Sequence, residues 1–152
     1  MRWMFLYAHG WIFDMEKIKI ELPGKVLYTT GFTIVSEDIN EANHLGNERI
    51  LHHANLIRYK FLETLDLLPP DADHGFIIAN HSIQYRSEGF LNEVISCEVG
   101  VANVTECSFD LVMHFIKSNG RPMAIVRSGL IYFDYTTRKI RHLPAKHVQT
   151  FR

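Results

Sequence analysis

The spacing of apolar and polar positions changes twice along the chain. Residues 25–36, KVLYTTGFTIVS, are rich in β-branched and aromatic types and read as a strand. A polar turn runs from Glu37 to Gly46. From Asn47 to Leu65 the apolar residues Ile50, Ala54, Ile57, Phe61 and Leu65 recur at helical spacing, and Pro69-Pro70 stops the pattern. The opposite side of this one long helix carries Arg49, His52, Lys60 and Glu63, as expected where a single stripe is buried. After the PPDADHG loop the period becomes two. Ile77, Ala79, Ile83 and Tyr85 share one face of a strand over 76–86. Residues 93–104 and 107–117 form a hairpin around Val104-Thr105-Glu106, and Ser118-Asn119-Gly120 turns the chain into a strand over 122–134. A loop and a short helix, 144–150, follow.

One strand, a long helix and then four strands joined by short turns predict an α+β domain, an antiparallel sheet packed on a single helix. One helix covers only one face of such a sheet. The strands are apolar enough that the remaining surface is expected to meet a second copy, giving a homodimer or homotetramer. The 152 residues suffice for one domain, taken as 21–152 after an N-terminal extension, 1–20. Met1 to Phe13 is apolar, but it lacks an A-x-A-like cleavage site, runs into Asp14 and Glu16, and is too short to span a bilayer. It reads as a mis-chosen start, with Met15 the initiator, or as an extension packed on the domain surface. A cytoplasmic protein without membrane attachment is expected.

Sixteen Lys plus Arg against 17 Asp plus Glu leave a net charge of -1, so no overall field favours nucleic acid or an anionic membrane. Cys97 and Cys107 fall in neighbouring predicted strands and could face each other. Two thiols make neither a disulfide framework nor a zinc set, and they read as reduced core residues.

The segment SEDINEANHLGNERILHHANLIRYKFL, residues 36–62, joins strand to helix and holds most of the candidate chemistry. Its Asp38, Asn40, His44, Leu45 and Asn47, followed by Arg58 and Phe61-Leu62, resemble the D-x-[DN]-x-x-x-H-[LV]-x-N pattern of the hotdog-fold thioesterase superfamily, of the 4-hydroxybenzoyl-CoA thioesterase-like and acyl-CoA thioesterase kind. The likeness continues in YRSEGFLNEV, residues 85–94, where Asn92-Glu93 stands in place of the usual Gly-Asp, and it reaches Ser108-Phe109 and the Asp134 turn. The resemblance implies a hotdog fold, in which an antiparallel sheet wraps one long central helix. It also implies hydrolysis of an acyl-CoA to free acid and coenzyme A, with coenzyme A entering as part of the substrate and no metal or other cofactor.

A helix starting near Gly46 or Asn47 directs unpaired N–H groups and positive dipole at the space before it. A thioester carbonyl lodged there would be polarised, each well-aimed donor contributing ~3 kcal/mol to the oxyanion. Leu45, Gly46 and Asn47 are therefore candidate substrate-binding residues, with Tyr85 and Arg86 beside them. Asn40 occupies the position where relatives often carry a catalytic acid; an amide is neither nucleophile nor base, but as a candidate catalytic residue Asn40 can still hydrogen-bond the carbonyl or hold the water. A second departure is Asn55-Leu56, where many relatives carry a helix glutamate.

The base then falls first to Asp38, or to Glu88 brought across a dimer interface, with His44 as hydrogen-bonding partner or proton shuttle. On this ranking Asp38→Asn slows thiol release by at least ~100-fold. The plainer alternatives are turn and helix-entry hydrogen bonds for Asp38 and Asn40, a backbone or carboxylate partner for His44, and a turn role for Glu88. His52 and His53 are adjacent on the helix and point apart, unlike a metal pair. His81 and His114 read as packed or surface strand histidines. Arg86 and Arg127 are either phosphate contacts for coenzyme A or solvated strand positions. Two rival functions are an enoyl-CoA hydratase-like hotdog enzyme, whose D-x-N-P-x-H pattern places Asp and His five apart rather than six, and a non-catalytic hotdog that binds acyl-CoA.

Overall fold

A computed structural model describes residues 18–68 and 73–152, so the readings of Met1 to Phe13 and of Pro69-Pro70 lie outside the described residues. The described elements are β1 (Tyr28–Thr33), a 3-10 turn at Ser36–Asp38, α1 (Asn47–Thr64), β2 (His74–Tyr85), β3 (Val94–Ala102), β4 (Ser108–Lys117), β5 (Pro122–Asp134), β6 (Lys139–Ile140) and α2 (Ala145–Phe151). They build one six-stranded sheet of order β1-β3-β4-β5-β2, with β6 on β5 and every pairing antiparallel. This is the expected α+β architecture, a hotdog fold.

The helical stripe is buried as its spacing requires. Ile50, Ala54, Ile57, Phe61 and Leu62 meet Ile95, Cys97, Val99, Phe109, Leu111, Met113 and Phe115 in a single core between α1 and the sheet. Alternation along β4 sends Val112 to the outer face, where Ile20 and Ile125 pack on it. The Pro23 ring and the Lys25 carbonyl lie against Gly100, so residues 20–25 run over that outer face.

Three local features differ from the expected pattern. The helix ends ahead of the two prolines: Asp66 takes a left-handed φ of 55°, its N–H donates to Glu63 O, and the Leu67 N–H donates to Leu62 O at 3.1 Å. With Leu67 buried against the core, this Schellman ending is complete by itself. In β2 the register slips between Ile78 and Asn80, so Phe76 and Ile78 face the core before the bulge and Ile83 after it. Ile77 and Ala79 therefore point outward and do not share a face with Ile83 and Tyr85. Cys97 pairs across β3 and β4 with Phe115, not with Cys107, and both thiols are free. Burial and the nearby Glu98 push the Cys97 thiol up to about 12.

Candidate active site

The turn before α1 is shaped by Asn40. Its Oδ1 accepts the Ala42 N–H at 2.9 Å, its own N–H donates to His44 O at 2.9 Å, and Asn43 closes the turn at φ 60°. Three backbone bonds fasten the loop between β2 and β3 to this turn and to Ile34 just after β1. Leu45 N–H donates to Gly89 O at 2.8 Å, Asn92 N–H to Ile34 O at 2.9 Å, and Ile34 N–H to Glu93 O at 3.0 Å. Asn92 has φ 68°, a left-handed conformation open to Gly and Asn, so asparagine can stand where relatives carry glycine. Glu93 accepts the Phe90 N–H at 2.8 Å and pairs with the buried Lys117 at 3.0 Å, which holds the loop from below.

Between these two segments, at the start of α1, lies a cavity of about 70 Å³ lined by His44, Leu45, Asn47, Ile50, Tyr85, Ser87, Glu88, Gly89 and Met123. His44 and Glu88 face each other at its rim, Nε2 to Oε1 3.9 Å, with side chains 24% and 36% exposed. His44 Nδ1 has two neighbours, Leu45 O at 3.1 Å and Asn40 Nδ2 at 3.5 Å. They demand opposite tautomers. The shorter contact, to an acceptor that carries no proton, favours Nδ1–H donating to Leu45 O, which leaves Nε2 with a lone pair turned toward Glu88.

Of the helix-start donors, Gly46 N–H is already engaged by Asp38 O at 2.9 Å, and Leu45 N–H by Gly89 O. Gly46 therefore does not serve as the expected oxyanion donor. The Asn47 N–H has no acceptor among the described residues and borders the cavity. The Tyr85 hydroxyl donates to Asn47 O at 3.2 Å, and burial together with the Glu48 carboxylate raises its pKa.

Asp38 lies elsewhere. It is 1% exposed, its Oδ1 accepts from Arg49 Nε and Nη2, both at 2.8 Å, and lies 3.0 Å from His53 Nε2, while its Oδ2 accepts the Val35 N–H at 3.2 Å. Burial alone would raise its carboxyl. The bonds from Arg49, Val35 and His53 outweigh that and hold it below the ordinary carboxylate value. His53 stacks on Phe32 with ring centroids 3.7 Å apart, and burial lowers its pKa despite the neighbouring Asp38. Asp38 does not line the cavity. The expectation that it faces substrate as first-ranked base is thus corrected: its charge is matched by Arg49, which turns inward rather than to the solvent side assigned from the helical pattern.

Glu88 in turn needs no partner chain to meet His44. Arg86 is exposed and outside the cavity lining, and Arg127 sits 3.9 Å from Asp110. Sequence reasoning missed the Asp38–Arg49–His53 cluster, although the signal was present: Arg49 and His53 are four apart and share a helix face. It also missed Ile50, Ser87 and Met123 as cavity walls. Among the described residues no group of three or more His, Cys, Asp or Glu side chains is arranged to hold a metal ion.

A family model described as the thioesterase-like superfamily matches residues 34–151. The chain belongs to this superfamily. The matched span holds both segments that border the cavity and every strand after β1. A search of curated proteins found no match. Among solved structures, a Pseudomonas aeruginosa protein assigned as a thioesterase aligns with a TM-score of 0.79 at 13% identity, covering 84% of this chain and all of that one. A gentisyl-coenzyme A thioesterase aligns at 0.70 with 18% identity, covering 79% of this chain and 98% of that one. A 1,4-dihydroxy-2-naphthoyl-CoA thioesterase from Synechocystis aligns at 0.71 with 13% identity, covering 81% of this chain and 93% of that one. At these identities the likeness is one of fold.

Proposed function

We propose that this superfamily member is an acyl-CoA thioesterase that releases a carboxylic acid and coenzyme A by direct attack of water. The observation that carries the reading is the His44–Glu88 pair, which lines one small cavity together with Asn47, whose N–H has no acceptor among the described residues. Two acceptors 3.9 Å apart, a carboxylate oxygen and an imidazole lone pair, suit a water that donates one hydrogen to each and turns its own lone pair to the thioester carbon. The carbonyl oxygen takes the Asn47 N–H at the positive end of α1. As the new C–O bond forms, Glu88 accepts the proton. Collapse of the tetrahedral intermediate breaks the C–S bond, and the departing thiolate is protonated from Glu88. Asn40 shapes the turn that presents His44, and Asp38 anchors α1. No metal or redox cofactor enters the scheme.

The working form is proposed to be a homodimer. β2 lies at a sheet edge and pairs only with β5, leaving one side of a twelve-residue strand without a β partner among the described residues. Sedimentation at micromolar protein tests this, and a monomer at all concentrations would reject it. Two free thiols accord with a reducing compartment, and the cytoplasm is the proposed location. Among the described residues no helix is long and apolar enough to cross a membrane.

The test of the activity is a thiol-release assay over short, long, branched and aromatic acyl-CoAs. Turnover is expected, with Glu88→Gln lowering it by ~100-fold or more. Loss of enoyl absorbance without thiol would instead select hydration, and tight binding without turnover a non-catalytic role.

A further inference from the structure

The inner end of the same cavity limits what can enter it. Leu45, Ile50 and Met123 line it together with His44 and Glu88 and are its buried apolar members, with exposures of 5%, 3% and 1%. Gly89 completes it. A methyl group on Gly89 would lie 2.7 Å from Ile34 Cδ1 and 2.9 Å from Met123 Sδ, so there is no second chamber behind the glycine. The volume, about 70 Å³, is under half of the roughly 150 Å³ apolar cavity that holds one benzene ring. The walls are carbon and sulfur, whereas the polar groups gather at the rim with Glu88, whose carboxylate opposes a second negative charge.

We infer that the acyl group this site takes is a short, uncharged aliphatic chain of roughly two to four carbons, and that Met123 sets its length. This rests on the thioesterase reading above. It separates the chain from the two structural relatives named for aryl-CoA esters. Met123 is the length-determining residue because its flexible, unbranched thioether lies beside Gly89, its Sδ 2.9 Å from where a Cβ there would stand, whereas Ile50 and Leu45 are held by α1 and the turn before it.

The experiment is kcat/KM for thiol release from acetyl-, butyryl-, hexanoyl-, octanoyl-, benzoyl- and malonyl-CoA, with wild type and Met123→Ala. Wild type is expected to prefer four carbons or fewer and to lose at least ~10-fold on hexanoyl- and benzoyl-CoA. Met123→Ala should raise the hexanoyl-to-butyryl ratio by at least ~10-fold. If that variant fails to fold, Ile50→Val should give a smaller change of the same sign. Wild-type turnover of octanoyl- or benzoyl-CoA equal to that of butyryl-CoA would overturn the inference, as would an unchanged ratio in a folded variant. Absence of thiol from every ester would instead overturn the thioesterase reading. The cavity limit is then judged by melting shifts with S-alkyl-CoA thioethers: a larger shift with S-butyl- than with S-octyl-CoA supports it, and an equal or smaller one overturns it.

Discussion

Replacing Asp38 with asparagine distinguishes a structural carboxylate from a catalytic one. The substitution preserves shape and removes a buried charge that accepts from Arg49 twice at 2.8 Å, meets His53 at 3.0 Å and accepts the Val35 N–H at 3.2 Å. An amide offers one acceptor oxygen. Whichever way it turns, its NH₂ confronts a donor, either the Arg49 guanidinium or the Val35 N–H. Breaking a buried ion pair by removing one partner costs ~3–5 kcal/mol. The lower end applies here because the Arg49 side chain, 27% exposed, can recover some hydration. A loss of about 3 kcal/mol corresponds to a melting temperature lower by roughly 6–12 °C for a domain of this size. The assays are a thermal melt and thiol release per folded molecule at 20 °C. The melt should drop by that amount while kcat/KM changes by less than ~10-fold. An Asp38→Asn protein that melts like wild type but turns over ~100-fold more slowly would refute the assignment and return Asp38 to the role of base.

Glu88→Gln should give the mirror result, a melting temperature within about 2 °C of wild type and thiol release reduced by ~100-fold or more, since Glu88 is a partly exposed loop residue whose carboxylate pairs with His44 at 3.9 Å and with no other cation among the described residues. Acidification should destabilise the fold. Burial lowers the folded-state pKa of His53, His81 and His147 from the ordinary 6.5, so their contribution is full above pH 6.5 and is lost as pH falls through the folded values. Asp38, also lowered, adds stability above pH 3.8 that disappears only below that value. Melts between pH 7.5 and 5 should therefore decline, and a rise over that range would contradict the burial argument. Asn92→Ala, which puts an alanine at φ 68°, should cost ~1 kcal/mol or more, whereas Asn92→Gly should be close to neutral; equal melts for the two would remove the strain argument.

Periodicity made the scaffold legible. The stripe Ile50, Ala54, Ile57, Phe61 is buried as expected and β3 and β4 largely alternate, whereas β5 is buried at every residue from Met123 to Val126 and shows no alternation there. What pattern missed depends on single residues or on distance along the chain. One extra residue at Ala79 reverses which side of β2 faces inward, and nothing in its alternation marks the bulge. Arg49 reads as solvent-facing until the partner eleven residues earlier is brought to it. The pairing of His44 with Glu88, and the engagement of Gly46 N–H by Asp38 O, follow from two loops meeting and not from either loop's own sequence. Motif spacing singled out the two segments that border the cavity. It could not tell which carboxylate faces the cavity and which is locked behind it.

The three backbone bonds that fasten residues 34 and 45 to residues 89, 92 and 93 bear on when the site comes into being during synthesis. A chain still emerging from the ribosome can form α1 early, because its contacts are local. The rim of the cavity, however, waits for a segment made some fifty residues later and for β1 to find β3. Truncated or stalled chains that end before that segment carry His44 without Glu88. Such chains also lack Gly89 and Met123, two further residues that line the cavity.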